Sequence, residues 1–155
     1  MKEIALTQGF IAIVDDADYE WLVKRKWFYS AGYAARKSGR VLGKSKLIYM
    51  HREIIQAPDG IEVDHIRTGE TLDNRRENLR LCTTAQNQYN RKIQANNSSG
   101  FKGVHWQKQK QKWCAQIKLH SHSIYIGYFD TAETAAQAYD QKARELFGEF
   151  ARTNF

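Results

Sequence analysis

The stretch VDHIRTGETLDNRRENLRLCTTAQNQYNR (63–91) decides the fold of the first part of the chain. Residues 61–66, IEVDHI, begin two positions before this stretch and have the pattern of a short strand. LRLC (79–82) has the pattern of a second strand. The polar segment between them is too irregular for a core element. Thr83, with Gln86 three residues later, matches a capping box that opens a helix. The stretch therefore predicts a strand, a loop, a strand and a helix.

Four polar residues lie where these predicted elements end. Asp64 and His65 end the first strand, Asn78 closes the loop, and Asn87 lies one turn inside the helix. A strand, loop, strand and helix can bring such ends around one cation. Neutral histidine can accept a proton from water near neutral pH, and one carboxylate with one amide oxygen suits magnesium. A zinc site would favour several histidine or cysteine ligands.

The same residues resemble the HNH motif of homing-type endonucleases, which occur in phages and mobile elements. The resemblance covers about residues 1–95, with its core at about 61–95. It is carried by the DH pair (64–65), the LDNR…NLR loop (72–80), the T..QN..N helix (83–90), KW (26–27), GYAAR (32–36) and MHR (50–52). It implies an α+β fold with a ββα-metal nuclease domain that hydrolyses phosphodiester bonds in DNA.

The resemblance also implies residue roles. His65 would be the general base, and Asp64 with Asn87 would hold one divalent metal. Asn78 would brace the loop and orient His65 without binding metal. Asn87 stands where some zinc-preferring relatives carry histidine, so the resemblance favours Mg²⁺ or Mn²⁺ over zinc.

Further polar residues near this motif have more than one interpretation. Arg75 and Arg76 are expected to clamp the DNA backbone, although a solvated basic face would show the same pattern. His51 could bind phosphate, join the site or take part in ordinary packing, and the sequence leaves these alternatives open.

The second part of the chain begins after NNSSG (96–100), which has the composition of a linker. Three strand-like segments follow, at 101–107, 112–119 and 123–129, and then a helical pattern over 131–148. Residues 101–128 contain five lysines and no acid. A three-stranded antiparallel sheet packed on one helix is predicted, and its cations and aromatics could enter a major groove.

This part resembles the plant ethylene-response-factor, or APETALA-type, DNA-binding domain over about 101–155. The resemblance is carried by GFKGVHW (100–106), KWCAQIK (112–118) and the run IYIGYFDTAETAAQAYDQKARELFGEFARTNF (124–155). It implies that the sheet contacts double-stranded DNA and the helix lies behind it. The candidate DNA-contacting residues are Lys102, His105, Trp106, Lys108, Lys112, Gln116, Lys118 and Tyr125. Several replace the family's arginines or tryptophan, which leaves the target sequence open.

Composition sets the remaining limits. The net charge of +7 is consistent with a polyanionic partner. No apolar run approaches the roughly 20 residues of a membrane span, and no signal-peptide pattern is present, so a cytoplasmic protein of a bacterium or a phage-infected host is expected. Cys82 and Cys114 form no CxxC pair and are expected to be buried thiols.

The sequence thus predicts a metal-dependent HNH endonuclease with a C-terminal DNA-binding domain. The alternative is a non-enzymatic DNA-binding regulator with a degenerate nuclease domain, and an RNA-directed protein has less support. The presence of all four polar residues argues against degeneracy. Nicking versus double-strand cleavage, oligomeric state and protein partners are not determined by the sequence.

Overall fold

A computed structural model describes residues 1–39, 44–90, 93 and 97–155. The chain divides into two compact units, Met1–Thr84 and Ala85–Phe155. Each unit combines antiparallel strands with helices, which confirms the predicted mixed α and β character. The predicted domain boundary at 96–100 stays a prediction, and residue 96 is outside the described residues.

The first unit begins with a hairpin of β1 (Lys2–Ala5) and β2 (Ile11–Val14), followed by α1 (Asp16–Leu22). Asp15 is the N-cap residue of α1, but its side chain makes no capping hydrogen bond. Its Oδ2 instead accepts from the backbone N–H of Arg76 at 2.8 Å, so a long-range contact replaces the local one.

A second sheet follows, with β3 (Phe28–Ser30), β4 (Tyr33–Lys37) and β5 (Leu47–Tyr49) in that order and antiparallel. The chain passes directly from β5 into α2 (Met50–Ile55). The apolar stretch 47–55, which His51 and Arg52 interrupt, is therefore a strand followed directly by a helix.

The decisive stretch forms β6 (Glu62–His65), a loop, and β7 (Leu79–Cys82), which pair antiparallel with Asp64 opposite Arg80. The helix that follows is α3 (Thr84–Tyr89). The predicted order of strand, loop, strand and helix is confirmed. The predicted HNH core reaches about residue 95, and its positions 91–92 and 94–95 lie outside the described residues.

The core of the first unit draws one or two apolar residues from nearly every element. Its buried members are Ile4, Leu6, Ala12, Val14, Leu22, Trp27, Ala34, Met50, Ile54, Val63 and Leu79. Because β6 and β7 contribute only Val63 and Leu79, the loop between them is held mainly by polar contacts.

The second unit contains β8 (Val104–Gln107), β9 (Lys112–Leu119), β10 (His122–Phe129) and α4 (Ala132–Phe147). The strands form an antiparallel sheet in the order β10-β9-β8, and α4 packs on it, as predicted. Thr131 caps α4, its side-chain oxygen accepting from the N–H of Thr134.

The apolar stripe of α4 faces the sheet and is core, as predicted, with Ala132, Ala135, Ala136, Tyr139 and Ala143 all buried. Gly103 (φ +76°) lies against the Tyr139 ring of α4. A Cβ added at Gly103 would be 2.1 Å from that ring, so a larger residue does not fit at this position.

Cys82 and Cys114 are free and buried, as predicted. No helix within the described residues is both long and apolar enough to span a membrane.

Candidate active site and DNA-binding face

Asp64 and His65 are brought to the end of β6 with their side chains buried. Asp64 Oδ2 accepts from Arg80 at 3.0 Å (Nε) and 2.7 Å (Nη2). Both side chains are close to 90% buried, so the pair compensates charges that would otherwise be costly to bury. The antiparallel register, which places Arg80 directly opposite Asp64, is the local reason for this contact.

The His65 imidazole is tuned by its surroundings. Burial lowers its pKa below the ordinary value for histidine. The nearby Asn74 side chain and the charges of Asp64 and Asp73 raise the pKa of His65 but do not overcome the effect of burial. The ring is therefore neutral at neutral pH, the state in which an imidazole can accept a proton from water.

Asn78 is fully buried and joins both ends of the loop. Its Oδ1 accepts from the N–H of Arg67 at 2.8 Å, and its Nδ2 donates to the carbonyl of Asp73 at 2.8 Å. Its own carbonyl accepts from the N–H of Ile66 at 2.9 Å. The residues directly after His65 are thus fixed to the far end of the loop. The geometry is that of a brace, and the orienting effect on His65 stays a prediction.

Arg75 and Arg76, the predicted DNA clamps, are both engaged in ion pairs of the first unit. Arg75 bonds both carboxylate oxygens of Asp73, at 2.9 and 2.7 Å. Arg76 bonds both oxygens of Asp18, each at 2.8 Å. These pairs tie the loop to itself and to α1. Contact of either arginine with DNA stays a prediction.

The predicted base belongs to a cluster of four rings. Tyr33 and His51 lie beside His65, and Tyr49 lies beside Tyr33 and His51, with ring centroids of neighbours 5.1–5.9 Å apart. Sequence reasoning left His51 open and missed the two tyrosines. The sequence did contain a signal for the two tyrosines. Tyr33 belongs to GYAAR (32–36) and Tyr49 directly precedes MHR (50–52), and both motifs are in the upstream part of the HNH resemblance.

The residues proposed for the metal lie in different units. Asp64 ends β6 in the first unit, and Asn87 is a half-buried residue of α3 in the second. Within the described residues, no three histidine, cysteine or acidic side chains form a group that could hold an ion. Magnesium bound mainly by water, one carboxylate and one amide does not require such a group. The donor types present therefore fit a hard divalent cation.

The outer face of the second unit's sheet carries several of the predicted DNA contacts. Gln116 and Lys118 are exposed, whereas Ala115 and Ile117, which alternate with them along β9, are buried toward α4. Tyr125 is opposite Gln116 in the register and is 56% exposed. His105, half-buried on β8, pairs with Cys114 on the same face, and Lys108 is exposed in the turn after β8.

Three other predicted contacts have partners within the second unit. Lys102 Nζ donates a hydrogen bond to the carbonyl of Tyr89. Burial and, to a smaller extent, the positive charge of Arg152 lower the pKa of Lys102 to about 8. Lys112 Nζ pairs with Asp130 at 2.8 Å. Trp106 packs edge-on against Trp113, with centroids 5.3 Å apart. Their DNA contacts stay predictions.

Comparison with known proteins agrees with this division. The HNH endonuclease family model matches residues 56–89. An uncharacterized HNH endonuclease of Acanthamoeba polyphaga mimivirus is 34% identical over 151 residues, which cover 95% of this chain and 76% of that protein. The chain belongs to the HNH endonuclease family. Protein 3.8 of Escherichia phage T7 is 35% identical over 95 residues, covering 61% of this chain and 77% of its own length.

The second unit of this HNH endonuclease contains an AP2 domain, whose family model matches residues 99–149. An ethylene-responsive transcription factor of Medicago truncatula is 43% identical over 72 residues, which are 45% of this chain and 30% of that protein. The likeness to the plant factors is thus confined to the domain. No solved structure matches the chain.

Proposed function

We propose that this HNH endonuclease hydrolyses phosphodiester bonds of double-stranded DNA, with His65 as the general base. The observation that carries the proposal is a buried imidazole, neutral at neutral pH, next to a carboxylate at the end of β6. His65 would accept the proton of the attacking water. Asn78, which bonds the backbone N–H of Arg67, would hold the chain that follows His65.

We further propose Asp64 and Asn87 as ligands of one divalent cation, Mg²⁺ or Mn²⁺, in a ββα-metal arrangement of β6, β7 and α3. When bound, such a cation neutralises charge on the scissile phosphate and the leaving oxygen. Arg80, bonded to Asp64 Oδ2, would orient the carboxylate. The family membership and the donor types support this arrangement.

The AP2 domain would supply part of the targeting. Gln116, Lys118 and Tyr125 lie on one exposed face, where a lysine can contact phosphate and a glutamine can pair with a base edge. We propose domains at 1–95 and 101–155, joined by 96–100. The role of a homing-type enzyme of a phage or mobile element is the closest fit to this combination of a nuclease and a DNA reader.

Cleavage should require a divalent cation, whereas folding should not. Supercoiled plasmid should be relaxed or linearised in Mg²⁺ or Mn²⁺ and remain intact in chelator, because the cation neutralises charge on the phosphate and does not hold the fold together. Circular dichroism in chelator should be unchanged. Unfolding by chelator would reveal a structural metal, and intact plasmid in every metal would favour the non-enzymatic regulator.

The salt dependence of DNA binding should identify the binding face. Lys118→Gln on the exposed face should lower the slope of log K against log salt by about 0.9, the value for one lost phosphate contact in B-DNA. Lys142→Gln, on α4, makes the same charge change on the helix that packs on the sheet. Its slope should remain that of the unaltered chain. Equal slopes for both variants would exclude the proposed face.

A further inference from the structure

We propose that His51 is a positioning residue for His65, which it holds by direct ring contact. The inference rests on the proposed role of His65 as general base. It concerns a residue whose role the sequence leaves open, and its evidence is the packing of four rings contributed by four different elements of the first unit.

The contacts around His51 enclose its ring. The His51 and His65 centroids are 5.1 Å apart and their planes meet at 77°, an edge-to-face arrangement. Tyr49 stacks on His51 at 5.5 Å, with the planes 14° apart. Tyr33 touches both histidines, at 5.4 Å from His51 and 5.9 Å from His65. His51 therefore lies between the tyrosines of β4 and β5 and the predicted base on β6.

The position of His51 is itself fixed by the core. His51 is the second residue of α2, and its neighbour Met50 is completely buried, as is Ile54 one turn later. Since α2 begins directly after β5, Tyr49 and His51 are separated by a single residue. The ring of His51 is therefore held next to His65 by a helix that is anchored in the core.

The charge state of His51 argues against the alternative that it binds phosphate as a cation. Its burial, together with the charges of His65 and Arg52, lowers its pKa to about 3. It is neutral wherever the protein functions near neutral pH, so it offers no net charge to a phosphate. A neutral ring beside His65 also adds no repulsion when His65 accepts a proton. The edge-to-face contact with His65 is the interaction on which the positioning role rests.

Positioning of this kind has a measurable value. A general base must be within hydrogen-bond distance of the water it activates, and a displacement of about 1 Å can cost about 10²-fold in rate. Removal of the His51 ring would leave space into which the His65 ring could turn. We expect His51→Ala to lower the single-turnover cleavage rate by about 10- to 100-fold, without changing the dissociation constant for DNA.

The decisive experiment is a double-mutant cycle in the full-length protein. Cleavage rates are measured with enzyme in excess for the unaltered chain, His51→Ala, His65→Ala and the double variant, with Mg²⁺ present. If His51 acts through His65, its loss should have no further effect once His65 is gone. An equal loss in both backgrounds would mean that His51 only supports the fold, and would overturn the proposal.

Two controls separate the possible failures. Tyr29→Ala removes another ring of the same unit, one stacked on Phe10 at 3.8 Å, and should not slow cleavage. His51→Leu fills most of the space and provides the same cycle if the alanine variant does not fold. Normal cleavage by His51→Ala with slow cleavage by His65→Ala would overturn this inference alone. Normal cleavage by His65→Ala would overturn the proposed function.

Discussion

Replacement of His65 by alanine should slow DNA cleavage by at least about 100-fold, the scale expected for loss of a general base. The imidazole is buried at the end of β6 and its lowered pKa keeps it neutral, so the substitution removes the group proposed to accept the proton of the attacking water. DNA binding should remain near normal, because the proposed targeting face is in the AP2 domain. Rates from single-turnover assays and affinities from gel shifts would measure the two effects separately.

An exposed histidine provides the matched control. His122 begins β10 in the second unit, and its ring contacts only the carbonyl of His120 among the contacts that the structure describes. His122→Ala should cleave at the original rate. Equal losses of binding and cleavage in His65→Ala, or a lowered melting temperature that accounts for the lost activity, would count against a catalytic role.

Local spacing was enough to predict the central elements. Both strands of the β6–β7 pair, the polar loop and the start of α3 followed from residues close together in sequence, as did the sheet and helix of the AP2 domain. The helix of that domain is predictable because the apolar residues of 131–148 recur with a helical period. In these places local propensity and tertiary packing favour the same structure.

Contacts between distant residues could not be predicted in this way. The carboxylate of Asp18 meets Arg76 across 58 positions, and no local pattern pairs them. The charge of Arg76 indicates a DNA clamp or a solvated face, and neither interpretation includes the pairing with Asp18. Tyr33 and Tyr49 were missed for the same reason, since aromatic residues in strands are ordinary core candidates until the topology places Tyr33 beside His65 and Tyr49 beside His51.

The terminal segment of the AP2 domain depends on one buried acid. Asp140, on α4, is only 2% exposed. Its oxygens accept from the backbone N–H of Asn154 at 2.8 and 2.9 Å, from Asn154 Nδ2 at 2.8 Å and from the N–H of Phe155 at 3.0 Å. Asn154 Oδ1 in turn accepts from the N–H of Lys102 at 2.6 Å. One carboxylate thus ties the end of the chain to the helix and to the segment that leads into β8.

Asp140→Ala should therefore destabilise the second unit by about 3 kcal/mol, because several donors in a part-buried position lose a charged acceptor at once. Chemical denaturation, followed by the fluorescence of Trp106 and Trp113, would measure the loss. Glu133→Ala removes an exposed acid from the same helix and should change the stability by less than about 0.5 kcal/mol. DNA affinity of Asp140→Ala should fall only at denaturant concentrations that unfold the unit. A change in stability equal to that of Glu133→Ala would show that the terminal segment is held by other contacts, such as the packing of Phe155 against Phe101.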